Sequence, residues 1–362
     1  MDGECCSTAE NAEDAEQDWG VPPFSALSLA LAARQRANAA ANRSTDPKLK
    51  IQEDTMSRRP RVTVVGSFNQ DLVAVTPRMP VKGETILGGP FHTGPGGKGA
   101  NQAVAAARLG AEVTMVVKLG KDSFGDLAEQ NLVNEGIQTD YVIRTDETHT
   151  GAALIFVDAA GENMIVVCGG ANDLMTPQDV DRARQAIVEA DILVVQLEIP
   201  METVEHTVRM AQEADVRVLL NPAPGRELSP ELLSMVDVLT PNETEAQIIT
   251  GLSVGSLDEA ETAARALLAN GVGIAVITLG AEGALLVTPE KVQHLPGRKV
   301  DVVDTTGAGD AFNGALAVAL AEGKGLPEAV AFANAAAALQ VTKLGTAPAM
   351  PHRNEVEALL GS

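Results

Sequence analysis

Asp310 ends a run of small and polar residues, Asp304-Thr305-Thr306-Gly307-Ala308-Gly309-Asp310. An apolar β-like stretch, 300–303, precedes the run, and an apolar helix-like stretch, 311–320, follows it. A small-residue turn at a helix N-terminus bares backbone N–H groups, and the helix dipole adds positive potential there, so such a turn suits a phosphate. A carboxylate beside a phosphate is unfavourable unless it works there. Its natural job is to take the proton of a hydroxyl that attacks the phosphorus. The same residues also make an ordinary Gly-x-Gly-Asp turn, since Asp is a good helix-start residue.

A second cluster, Gly94-Pro95-Gly96-Gly97-Lys98-Gly99-Ala100-Asn101, matches G-x-G-x-x-G. The dinucleotide reading fails on context, because Pro95 sits between the glycines and the strand at 113–117 ends in Lys118, not an acid. The phosphate-loop reading fails because Gly99 follows Gly97-Lys98 where Ser or Thr is required. The protein-kinase loop fails because Asn101 stands in the place of Val. Two readings remain. One is a tight loop that brings backbone close to a small polar ligand, with Lys98 and Asn101 as side-chain donors. The other is a plain glycine turn before a helix.

A scaffold must hold these loops. The body opens with Arg61-Val62-Thr63-Val64-Val65-Gly66, a strand ending in Gly. Short strand-like pieces at 72–76, 84–87, 151–157 and 163–167, joined by Pro- and Gly-rich turns, predict a small, partly exposed sheet. Helices at 101–109, 178–189, 204–214 and 257–269 alternate with strands at 113–117, 192–196, 216–220 and 274–278. The Asp310 helix and a last helix at 327–341 follow. Repeated alternation predicts an α/β fold, a doubly wound and mostly parallel sheet with helices on both faces. Ligands then belong at the carboxyl ends of the strands. Asn69, Asp71, Glu198, Asn221, Asn242, Gly280 and Asp310 all follow predicted strand ends.

Composition agrees. The chain has 362 residues, 33 of them Gly, and only 2% aromatics, so the core must be built from Ala, Val, Leu and Ile. A net charge of −22 argues against nucleic acid or an anionic membrane as partner. Cys5, Cys6 and Cys168 form no CxxC, which fits a reducing, cytoplasmic setting. Five scattered histidines suggest no zinc site, and no apolar run approaches the ~20 residues of a membrane span. Residues 1–60 stand apart. Seven acids and no base occur in the first 18, a pattern unlike a secretory or transit signal. We expect a disordered or partly helical tail there, with Met56 as an alternative start.

Five motifs carry a family resemblance: Gly96 to Asn101, Asn221-Pro222-Ala223-Pro224, Pro241 to Glu245, Thr278-Leu279-Gly280 and Asp304 to Asp310. In order and spacing the chain resembles the ribokinase-like sugar kinases, the PfkB family, from about Val62 to Leu360. The resemblance implies a kinase domain at 61–362 with a β-sheet lid from about 69–95 and 146–170. That lid would also pair with the lid of a second subunit in a homodimer. It implies MgATP-dependent phosphorylation of D-ribose on its 5-hydroxyl. Asp310 is then the base, and Gly307, Ala308 and Gly309 the anion hole. Asn69, Asp71, Gly97, Lys98, Asn101 and Glu198 become the sugar contacts. Asn242, Thr278, Leu279, Gly280, Ala281, Glu282, Gly283, Gly309 and Asn334 become the ATP site. Asn242 and Glu245 match an N-x-x-E associated with Mg²⁺. Asp304, Thr306, Gln340, Lys343 and Gly345 resemble a K⁺ site, from which this chain departs at Ala349, where a Ser oxygen is usual. Kinases for deoxyribose or a nucleoside share Gly-Ala-Gly-Asp and remain rivals. A silent sugar-binding sensor is opposed by the intact Asp310.

Overall fold

The computed structural model describes residues 58–361. The expectations for the acidic tail and for Met56 fall outside the described residues. The first part runs β1 (Arg61–Val65), β2 (Asn69–Val75), β3 (Phe91–Gly96), α1 (Lys98–Arg108), β4 (Glu112–Gly120), α2 (Ser123–Asn134), β5 (Gln138–Thr145), β6 (Ala152–Val157) and β7 (Asn163–Cys168). Next come α3 (Pro177–Asp181), α4 (Arg184–Val188), β8 (Ile192–Val195), α5 (Met201–Glu213), β9 (Arg217–Leu220), α6 (Pro230–Leu233), β10 (Val238–Leu239), α7 (Glu243–Thr250) and α8 (Leu257–Ala269). The chain finishes with β11 (Ile274–Thr278), β12 (Gly283–Val287), β13 (Val292–Pro296), α9 (Ala308–Ala321), α10 (Leu326–Gln340) and α11 (Arg353–Leu360).

Among the described residues the strands form two sheets. The larger has nine strands in the order β13-β12-β11-β10-β9-β8-β1-β4-β5. It is parallel from β11 to β5, and only the β11–β12–β13 edge is antiparallel. Val62 and Val64 on β1 face one core, with α1, α9 and α10; Val65 faces the other, with α5 and α8. Each such fully buried aliphatic side chain is worth about 1.5–3 kcal/mol. Aliphatic runs buried on both faces form parallel strands for that reason. The α9 helix is buried from Asp310 to Leu320 and packs directly on α1. Gly314 permits that approach, because a Cβ there would lie 2.6 Å from the Ala105 side chain.

The smaller sheet has four strands in the order β3-β2-β6-β7 and draws on the segments expected to form a lid. Its boundaries differ from expectation. No strand forms at 84–87, where Glu84 instead pairs with Arg78 in an exposed turn. The antiparallel partner of β2 is β3, which runs into the glycine cluster itself, while β6 pairs with β2 on its other side. Pro95 is tolerated because β3 is an edge strand. The stretch 300–303 is not a strand either. Val302 and Val303 are exposed, and the backbone is held instead by N–H bonds from Val303 and Asp304 to the Val341 carbonyl. The helix predicted at 178–189 is two short helices, and α11 follows the one taken as last.

Candidate active site

The parallel strands all end on one side, and the polar residues gather there. A cavity of about 650 Å³ lies between the small sheet and the large sheet. Its walls include Asn69, Asp71, Gly97, Lys98, Asn101, Glu198, Gly307 and Asp310. The small sheet supplies an apolar side from Ala153, Ile155, Ile165 and Val167, which alternate on one face of the paired β6 and β7. A smaller cavity of about 170 Å³ is walled by Asn221, Thr240, Asn242, Glu245, Thr278, Gly309 and Asn313. Lys98, Gly307 and Asp310 border both. The carboxylate singled out from sequence therefore stands at the neck between two pockets.

Gly97 makes the turn into α1. It has φ 86°, and a Cβ there would lie 2.5 Å from the Asn69 backbone nitrogen. The turn seats the N-terminus of α1 against Glu198, whose Oε2 accepts from the Lys98 N–H at 2.9 Å and from the Ser67 hydroxyl. Asn172 clamps the other side. It accepts from the Phe68 N–H at 3.1 Å and donates to the Phe68 carbonyl at 2.9 Å and to Asn69 Oδ1 at 3.0 Å. With its oxygen engaged, the Asn69 amide presents its nitrogen to the cavity.

Asp310 is buried, with Oδ2 accepting from Asn101 at 2.8 Å and Oδ1 from Gln102 at 3.0 Å. Gly307 caps α9, and the Ala308 N–H turns back to the Thr305 carbonyl at 3.3 Å. The first turn leaves the N–H groups of Gly309 and Asp310 without intrahelical acceptors. Burial, together with the charges of Glu198 and Asp310, pushes the Asp71 carboxyl up to about 6, against a hydrogen bond from Thr346 that favours the charged form. Burial pulls Lys98 down, but Asp310, Glu198 and Glu245 together hold its ammonium above the usual lysine value. Burial also raises Glu245.

Asn242 and Glu245 close a capping box on α7: Asn242 Oδ1 accepts from the Glu245 N–H at 2.8 Å, and Glu245 Oε2 from the Asn242 N–H at 2.9 Å. Asn242 also lies beside Thr278 in an isolated parallel bridge, where β10 and β11 end. Leu279 to Gly283 form the turn between β11 and β12, with Gly280 to Glu282 a single 3₁₀ turn. Asn334 sits apart from both cavities. Its amide donates to the Leu295 carbonyl at 3.0 Å and ties α10 to β13.

The residues named for a monovalent ion do converge. Asp304 accepts from the N–H groups of Thr306 at 2.9 Å and Gly345 at 3.0 Å. Gln340 Nε2 donates to the carbonyls of Thr306 and Gly345, both at 2.8 Å. Gln340 Oε1 is buried without a hydrogen-bond partner, an acceptor left over among carbonyls, which suits a cation. The Lys343 ammonium pairs with Glu355 at 2.8 Å, so only its carbonyl is available. Among the described residues no group of three or more His, Cys, Asp or Glu is arranged to hold a metal ion.

Sequence reasoning missed Gln102, Gln196, Asn313, Asn172 and Thr346. A signal existed for four of them. Gln102 and Asn313 are lone amides in apolar helices, Gln196 ends an apolar strand, and Asn172 sits in a short small-residue turn. Buried polar residues of this kind have partners.

Comparison with known proteins bears on this geometry. The model of the pfkB family carbohydrate kinases matches residues 59–353. A ribokinase of Bacillus subtilis is 45% identical over 299 residues, covering 83% of this chain and 99% of its own. A deoxyribokinase of Salmonella typhi is 41% identical over 291 residues, covering 80% of this chain and 95% of its own. A solved ribokinase of Arabidopsis thaliana, complexed with ribose and ATP, aligns with a TM-score of 0.79 at 35% identity, covering 84% of this chain and 100% of its own.

Proposed function

The chain belongs to the pfkB family of carbohydrate kinases, and from that premise we propose that it transfers the γ-phosphoryl group of ATP to the 5-hydroxyl of D-ribose. Relatives named ribokinase at up to 45% identity over most of the chain support the reading. The observation that carries it is the shared wall: Asp310, Lys98 and Gly307 border both the larger, hydroxyl-reading cavity and the smaller one.

The sugar lies in the larger cavity, read by Asn69, Asp71, the Gly97–Lys98 turn, Asn101 and Glu198. A polyol is recognised by hydrogen bonds, and an analogue lacking one leaves a buried group unpaired. Asp310 accepts the proton of the attacking hydroxyl. The amide groups at Gly307, Ala308 and Gly309 take up charge on the phosphoryl group in transit. The triphosphate runs through the smaller cavity past Asn242 and Thr278, with the nucleotide along Leu279 to Gly283 and toward Asn334. Asn242 and Glu245 would stand near the Mg²⁺ that accompanies ATP, which would neutralise phosphate charge. Asp304, the carbonyls of Thr306, Lys343 and Gly345, and Gln340 would hold K⁺, which would steady the loop that carries the amides. The lid sheet excludes water when it lowers over the sugar.

The outer face of the lid, with Leu154, Met164 and Val166 exposed, supports a second copy of this chain as its cover. The low cysteine content supports a cytoplasmic setting, and no helix among the described residues is long and apolar enough to cross a membrane.

A coupled ADP-release assay across ribose, 2-deoxyribose, fructose and adenosine tests the reading. Ribose should show the highest kcat/KM. Preference for 2-deoxyribose would move the chain to the deoxyribokinase branch, which a 41% identical relative keeps in view. Preference for adenosine would sink the free-sugar reading.

A further inference from the structure

We propose that Gln102 is a positioning residue for Asp310: its buried amide fixes the direction in which the carboxylate faces the acceptor hydroxyl. The inference rests on Asp310 being the base. Gln102 lies on α1, fully buried, and borders neither cavity. Its Nε2 carries two protons and both are engaged, one with Asp310 Oδ1 at 3.0 Å and one with Asn221 Oδ1 at 3.1 Å. Its Oε1 accepts from Gln196 Nε2 at 2.7 Å. Turning the amide over would break all three bonds.

The line continues beyond Asn221. Asn221 Nδ2 donates to the Thr240 carbonyl at 3.2 Å, the Thr240 hydroxyl to Asn313 Oδ1 at 2.5 Å, and Asn313 Nδ2 to the Gly309 carbonyl at 2.7 Å. It therefore begins under the carboxylate and ends on the peptide that precedes it. The oxygens of Gln102, Asn221 and Asn313 are all engaged, which holds this stretch in one geometry, while Gln196 Oε1 and Asn101 Oδ1 at its margins are buried without a hydrogen-bond partner.

Three charged groups act on Asp310: Lys98 on α1, Asp71 on β2 and Glu245 on α7. Lys98 attracts the carboxylate, and the two acids repel it. Neutral donors set its direction without adding to that balance. Asn101 holds the other oxygen but also faces the sugar cavity. Gln102 is thus the donor to Asp310 that no substrate contacts.

Steady-state kinetics of Gln102→Met test this, since Met keeps the volume and lacks the donor. We expect kcat to fall about 10- to 100-fold, within the range that a base supplies. KM for the sugar and for MgATP should stay within about threefold. In an Asp310→Asn background the same change should alter kcat by no more than about twofold, because the group it positions is gone. An equal loss in both backgrounds, or an unchanged kcat with Asp310 present, would overturn the proposal. Gln102→Glu has the same shape with an acceptor in place of the donor, and it runs the same cycle if the Met variant does not fold. The cycle uses whichever sugar the unaltered enzyme turns over best. A wrong acceptor assignment would show in the wild-type assay, and a wrong positioning role only in the cycle.

Discussion

A single carboxylate at the neck of two cavities concentrates the chemistry in one atom pair. Asp310→Asn keeps the shape and both amide donors nearby while removing basicity. We expect kcat to fall about 10²–10⁴-fold with sugar binding changed far less. A near-normal kcat in the variant would remove Asp310 from the role. Asp71 offers a test by pH. Its carboxyl stands at about 6 in the folded protein against 3.8 for an ordinary one. A group whose folded value is raised favours folding below its unfolded value, and that contribution is lost as pH rises through about 6. The cost of the buried charge above that pH is at most about 3 kcal/mol. Asp71→Asn should therefore stabilise the sugar-free protein in urea titrations at pH 8, with the gain shrinking toward pH 5. A gain of equal size at both would show that charge is not its source. The same variant should raise KM for ribose, the carboxylate being the proposed acceptor of sugar hydroxyls.

The small sheet is joined to the large one through crossings that Asn172 ties together. It satisfies both backbone groups of Phe68 and orients Asn69. Asn172→Ala leaves a buried N–H and carbonyl unpaired, which costs about 1–3 kcal/mol for each such group. We expect a lowered Tm and a ribose KM raised about tenfold, with kcat falling less. An unchanged KM would mean that Asn69 is held some other way. Asn172 also shows where sequence reading ends. Strands 192–196 and 274–278, helix 257–269 and the Asp310 turn were legible because aliphatic runs and glycine turns write themselves locally. Strand β3 was not, since Gly94-Pro95-Gly96 is strand-like only at an edge beside β2. The apolar stretch 300–303 misled for the converse reason, because it has no strand to pair with. Gln102 meets Asp310 across 208 positions. No local period announces such a contact, so the site's loops could be read while the amides beneath them could not.

At the scale of the whole molecule, the proposed dimer would form on the outer face of the small sheet. The register of β6 and β7 puts Leu154 beside Val166 and Phe156 beside Met164, opposite the face that lines the cavity. A charge there should split the proposed dimer without reaching the sugar contacts. Val166→Glu should sediment as a monomer at concentrations where the unaltered protein is a dimer. A variant that still sediments as a dimer would place the interface elsewhere.

Thr346 follows Gly345, a member of the proposed K⁺ site, and its hydroxyl lies 3.1 Å from Asp71 Oδ2 and 3.0 Å from the Pro95 carbonyl. One side chain thus spans the loop proposed for the ion and the carboxylate proposed to read the sugar. Thermodynamics then imposes a bookkeeping identity: whatever factor K⁺ adds to ribose affinity, ribose must add to K⁺ affinity. Titrating each ligand calorimetrically with and without the other should give the same factor twice. In Asp304→Ala the factor should fall to one, and in Thr346→Val it should shrink while K⁺ still binds. If Thr346→Val keeps the full factor, the message between the two sites travels by another route.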